Sequence, residues 1–97
     1  MGYRHMSIVP FDDRAPSGPD VTAYDEQLRA TYWRLLDAAA DNAEWGEVVR
    51  VVFGIDPVAE PERASLVHDT HLARARWMSE TGYRHYLDPQ IRGHGSK

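Results

Sequence analysis

The sequence predicts an all-α domain of three to four helices, with an extended turn between the second and third. Three observations point there. Apolar residues recur at three- and four-residue spacing in three stretches, and helix-start and helix-stop residues bracket each stretch. The one run that suits a strand, Val48 to Phe53, has no second β-branched run to pair with.

The first helix is expected to begin at Thr22. Thr22 followed by Asp25 resembles a capping box with a shorter acid, and Asp25 and Glu26 suit the positive helix end. Tyr24, Leu28, Tyr32, Leu35, Leu36 and Ala39 then form one apolar stripe, which Asp41 and Asn42 end. A shorter second helix is expected from about Ala43 to Phe53. Asp41 with Glu44 offers it a capping pair, and Trp45, Val48, Val49 and Val52 repeat at helical spacing.

Gly54 is a natural helix stop, and Pro57 blocks continuation. The connection from Gly54 to Glu60 exceeds the roughly three- to four-residue turn of an ordinary helix-turn-helix. The outline is therefore a variant of that motif with a lengthened turn. Pro61 suits the first position of the third helix, with Glu60 and Glu62 at its positive end. That helix should run to about Thr81 and stop at Gly82, with Tyr83 to Leu87 as one further turn folded back on the core.

The third helix has two apolar faces. Ala64, Val67, Leu72, Ala75 and Met78, accompanied by His68 and His71, lie on one side; Leu66, Thr70, Ala73 and Trp77 lie nearly opposite. One face must serve the core. The other is either covered by Tyr83 to Leu87 or left for a partner.

Ninety-seven residues make one domain. Residues 1–19 contain Pro10, Pro16, Pro19, Gly2 and Gly18 without periodicity and read as a flexible lead; 20–88 form the helical domain, and 89–97 a flexible tail. The tetrapeptide GYRH at Gly2 to His5 recurs at Gly82 to His85, too short a match to be an architectural repeat. So small a core buries about 60% of the unfolded surface, which leaves thin stability margins. Absent cysteine excludes disulfides and thiolate metal sites and fits a cytoplasmic protein. No apolar run approaches a membrane span.

The formal charge of −4 is unevenly spread. Acids crowd Asp20 to Glu62 against Arg29, Arg34 and Arg50, whereas Arg63, Arg74, Arg76, Arg84, Arg92 and Lys97 dominate the last third. Only that last third could attract phosphate.

Candidate chemistry is sparse. His68 and His71 share a helix face at a spacing that suits a metal, but no third ligand is apparent. There is no serine or cysteine in a nucleophile context and no glycine-rich phosphate loop, so the chain reads as neither an enzyme nor a cofactor carrier. Arg74, Arg76, Arg84 and His85, interleaved with Trp77, Tyr83 and Tyr86, could grip a nucleic-acid backbone. The plainer reading is that late arginines complement the negative helix end. Trp77, with Leu66 and Ala73 at helical spacing, fits either a protein-binding hot spot or burial under the C-terminal turn.

The segments RLLDA (Arg34 to Ala38), AEWGEVVRVVFG (Ala43 to Gly54), IDPVAEPERA, HLARARWM and GYRHYL together resemble a proteobacterial domain-of-unknown-function family encoded on integrative and conjugative elements. The resemblance covers about Tyr32 to Leu87. It implies an extended-turn helix-turn-helix fold used in two modes. FseA-type activators fuse the domain to a second one and bind DNA through a positive face. QseM-type antiactivators stand alone with a negative surface, occupy the activator's partner domain and block transcription of transfer genes.

The chain is similar to the second mode, because Gly46, Ser65, Asp69 and Thr70 stand where basic members carry arginines. The expectation is thus an antiactivator bound to the non-DNA-binding domain of an FseA-type activator, with a LuxR-type quorum-sensing activator as a second partner the resemblance allows. Leu66, Thr70, Ala73, Trp77 and Tyr83 are the expected contacts, and Glu44, Glu47, Asp56, Glu60 and Glu62 the acids steering a basic partner. The rival is a DNA-binding regulator using Arg63, Arg74, Arg76 and Arg84.

Overall fold

The computed structural model describes residues 8–82. Among these residues there is no strand, and the elements are α1 (Ala23–Gln27), α2 (Arg29–Ala40), α3 (Trp45–Val48) and α4 (Pro61–Trp77). Two helices widen at their C-terminal ends into single π-type turns, Val49–Phe53 after α3 and Met78–Gly82 after α4.

The expected first helix is divided. Thr22 caps it as anticipated: its side chain accepts from the Asp25 amide, while the Asp25 carboxylate accepts from the Thr22 amide. Leu28 then leaves helical geometry (φ −99°, ψ 16°) and separates α1 from α2. The ladder survives this, because the Leu28 amide donates to the Tyr24 carbonyl and the Leu28 carbonyl accepts from Tyr32. The interruption sets Leu28 into the core at 1% exposure.

At the far end of α2, Asn42 adopts a left-handed φ of 59°. The amides of Asn42 and Ala43 return to the carbonyls of Ala39 and Ala38 at 3.1 and 2.9 Å, the paired closure of a Schellman motif. Asp41 is therefore committed to ending α2 and does not pair with Glu44 as a cap. Glu44 itself caps α3, its carboxylate accepting from the Glu47 amide at 3.1 Å.

Gly54 ends the second helical unit at φ 69°, a conformation that favours glycine. A Cβ there would also lie 2.8 Å from Ile8 Cδ1. The long connection that follows is ordered. Ile55 is buried, the Val58 amide donates to the Asp56 carboxylate at 2.9 Å, and the Glu60 amide donates to the Asp56 carbonyl at 2.9 Å. Pro61 opens α4, where its missing N–H costs no helical bond.

Two buried clusters meet along α4. The first is aliphatic and aromatic: Leu35, Val48, Val49, Val52, Phe53 and Ile55 against Ala64 and Val67. The second joins Leu28 and Tyr32 to Ala75 and Met78.

Residues 8–19 depart most from expectation. Phe11 packs against both clusters and meets the Phe53 ring edge-on at 4.9 Å. The Asp12 amide donates to the Tyr24 hydroxyl at 2.9 Å, Asp13 pairs with Arg63 at 2.8 Å, and the Ala15 amide donates to the Thr70 hydroxyl at 3.2 Å. The segment expected as a flexible lead is, from residue 8 onward, an extended strap that completes the core. The turn expected at Tyr83 to Leu87, the tail and all but Gly82 of the GYRH matches lie outside the described residues.

Candidate functional site

The inward side of α4 carries a buried polar network. Asp25 is 0% and Arg74 4% exposed. Arg74 Nε donates to Asp25 Oδ1 at 3.0 Å and Nη2 to Oδ2 at 2.8 Å, a two-pronged pairing. Its remaining donors reach the Gly18 carbonyl at 2.7 Å and the Asp20 carbonyl at 2.8 Å, and its guanidinium lies 3.9 Å from the centre of the Trp77 ring. The Tyr32 hydroxyl donates to Asp25 Oδ1 at 2.8 Å. Burial alone would raise the Asp25 carboxyl, but Arg74, the Thr22 amide and the Tyr32 hydroxyl together hold it below the usual carboxylate value. Burial, reinforced by the bond to Asp25, pushes the Tyr32 phenol well above its ordinary value.

Arg74 is therefore absent from the basic surface on which the DNA-binding reading placed it. Its position three residues after His71 sets it beside the core stripe, and the charge is tolerated there because every donor group has a partner.

His71 is fully buried. Nδ1 lies 2.7 Å from the Val67 carbonyl, which can only accept, so Nδ1 carries the proton. Nε2, 2.6 Å from the Tyr24 hydroxyl, then accepts from it, and that hydroxyl accepts in turn from the Asp12 amide. Burial lowers the His71 pKa, with the Val67 carbonyl opposing, so the ring is neutral. Both its nitrogens are engaged, and His68 Nδ1 lies 2.9 Å from Asp69 Oδ1. No group of three His, Cys, Asp or Glu among the described residues could hold a metal ion.

Thr70, Ala73 and Trp77, three of the expected partner contacts, line one groove of about 320 Å3 on the outer side of α4. Its opposite wall is Arg14 to Ser17 of the strap. The strap thus supplies cover that the sequence left to Tyr83 to Leu87 or to a partner. Thr70 is also tied inward, its hydroxyl donating to the Leu66 carbonyl at 2.9 Å. Leu66, Thr70 and Trp77 are half-buried and Ala73 is exposed. Leu66 does not line the groove, and Tyr83 lies outside the described residues.

The five expected steering acids, Glu44, Glu47, Asp56, Glu60 and Glu62, are all exposed. Asp56 faces Arg50 at 3.8 Å, and Glu60 faces Arg63 at 3.3 Å. The Val58 amide, above other causes, holds the Asp56 carboxyl below its usual range. Along α4 and its closing turn, the water-facing line contains Glu62, Asp69, Ala73, Arg76 and Glu80. Arg63 is held by Asp13 and Glu60, Arg76 is exposed, and Arg84 lies outside the described residues.

Sequence reasoning missed exposed apolar side chains. Trp45 (39%), Val51 (54%) and Val58 (79%) are exposed on α3, its closing turn and the long connection. Trp45 belonged to the stripe read at helical spacing with Val48, Val49 and Val52; Val51 and Val58 were given no role. Trp45 instead lies against His68, with ring centres 5.9 Å apart. No helix among the described residues is long and apolar enough to cross a membrane. No family model matches the chain, and no curated protein matches it.

Proposed function

We propose that this protein is a protein-binding regulator: an antiactivator that occupies the non-DNA-binding domain of an FseA-type activator in the cytoplasm and so blocks transcription of conjugative-transfer genes. A LuxR-type quorum-sensing activator is the second partner of the same kind. In this reading the domain keeps the extended-turn helix-turn-helix scaffold and lacks the cationic face of a DNA reader.

The observation that carries the proposal is the water-facing line of α4, where Glu62, Asp69 and Glu80 accompany Arg76. Placed against a duplex, that line would set carboxylates against phosphates and forfeit the counterion release behind most such affinity. The competing DNA-binding reading also loses Arg74 to the interior and Arg63 to two carboxylates. Exposed carboxylates steer association with a basic protein instead.

The test is direct. Fluorescence anisotropy of a labelled promoter duplex, titrated at low and moderate salt, should show no saturable binding, while calorimetry with the purified partner domain of the activator should give a defined stoichiometry. Tight duplex binding with a steep salt dependence would reverse the assignment.

A further inference from the structure

We infer that the trough between α2 and α3 is the seat of a basic, amphipathic helix of the partner protein. This deepens the protein-binding reading and rests on it: it places the contact away from the α4 groove that the strap already lines.

The trough encloses about 390 Å3. Ala38 on α2 and Val48 and Val52 on the α3 side form its apolar part, with Val51 standing beside them. Asp37, Glu47 and Arg34 border it. Val51 is 54% exposed although its neighbours Val49, Val52 and Phe53 are buried. Val51 lies off the stripe formed by Trp45, Val48, Val49 and Val52, and it sits within the π-type turn that closes α3. Such turns recur at functional positions, and a half-exposed valine contributes less to the core than its buried neighbours.

The occupant follows from charge and shape. Asp37 and Glu47 are exposed on the border, and Asp41 and Glu44 are exposed in the connection from α2 to α3. Against them stand Arg34 and Arg50, and Arg50 already faces Asp56. An apolar channel with an acidic border suits a segment with aliphatic side chains on one face and Lys or Arg flanking it. A trough bounded by two helices accepts such a segment as a third helix, its side chains entering at helical spacing. A second copy of this chain fits poorly, because a twofold contact would bring the same carboxylates together. Nucleic acid is repelled by the same border.

Isotope-labelled full-length protein, followed by amide chemical shifts, provides the test. One probe is a synthetic Leu/Lys peptide with amphipathic helical spacing, a second is its Leu/Glu counterpart, and a third is the partner domain of the activator. The Leu/Lys peptide should produce saturable shifts at Ala38, Ala43, Val48, Val51 and Val52, and the Leu/Glu peptide none. Glu47→Lys and Val51→Asp, both at exposed positions, should each raise the peptide Kd at least about tenfold with circular dichroism unchanged. Shifts centred on Thr70 to Trp77, an equal response to the Leu/Glu peptide, or the same shifts on concentrating the protein alone would overturn the inference. If the activator domain binds through another face, the trough assignment falls and the antiactivator reading stands. If the trough takes the Leu/Lys peptide but the activator domain does not bind, the reverse holds.

Discussion

The two ends of α4 rest on different materials. Near its start, Ala64 and Val67 meet valines, Phe53 and Ile55, an apolar cluster whose cohesion is independent of protonation. Toward its end, Ala75 and Met78 share the interior with the Asp25–Arg74 pair and neutral His71. The first end needs only volume and shape. The second needs particular charge states, and it draws them from four chain regions: the strap, α1, α2 and α4. That contrast teaches where a small domain becomes sensitive to its surroundings: at the polar knot, where several segments must agree.

The comparison is easiest to break at the ion pair. Arg74→Ala leaves the Asp25 carboxylate buried without its partner and should cost about 3–5 kcal/mol by urea denaturation. Adding Asp25→Asn should recover part of that loss, because the two changes share one interaction. A single-variant cost below about 1 kcal/mol would mean that water reaches the carboxylate and the knot is not dry.

The strap comes next. Phe11 is half-buried against both clusters, so Phe11→Ala should cost about 2 kcal/mol, below the roughly 3–5 of a fully enclosed phenylalanine. It should also raise amide exchange at Thr70. An unchanged urea midpoint would detach the strap from the core.

Acid should then divide the two ends. The folded His71 pKa lies below the ordinary 6.5, so the unfolded chain takes up a proton first as pH falls. Stability should decline below about pH 6.5, and His71→Gln should flatten that decline whatever its own cost. The Asp25 carboxyl, held below its ordinary 3.8, contributes stability above that value and loses it as pH falls further, through its folded pKa. Urea midpoints at pH about 7.5, 5 and 3 separate the two steps. A slope that is the same with and without His71 would assign the first step elsewhere.

The smallest effect is expected at the cap. Thr22→Ala removes one side-chain acceptor from α1 and should cost about 1 kcal/mol. Because the Thr22 hydroxyl also donates to the Asp25 carboxylate at 3.1 Å, its loss brings the folded Asp25 pKa back toward the unfolded one, so this variant should also flatten the loss of stability in acid.

These elements differ in how far sequence disclosed them. Thr22 with Asp25, Gly54 and Pro61 were legible because capping and stopping are decided within a few residues. The all-α class and the long connection followed from the same local signals. Phe11 was not legible, since one aromatic in an aperiodic, proline-marked stretch carries no period to show which face it covers. Arg74 was misread because its partner Asp25 lies 49 residues away, and a helix-end arginine already has an ordinary explanation. Among the candidate contacts that helical spacing grouped, Thr70, Ala73 and Trp77 line one groove and Leu66 does not. The spacing gave no warning that Arg14 to Ser17 would form the opposite wall of that groove. Val51 falls off the helical stripe of Trp45, Val48, Val49 and Val52, but that spacing carried no sign that Trp45 on the stripe would be exposed.

The turn that closes α3 bears on how this region can be re-engineered or diverge. A π-type turn spends one residue more than an α-turn to reach the next level of the ladder, so deleting one residue between Val49 and Phe53 could close it as an ordinary α-turn. Phe53 and Ile55 could then keep their places against Ala64 and Val67. The stretch should accordingly accept many exchanges of side chain at Val51 and the loss of one residue more readily than a gain.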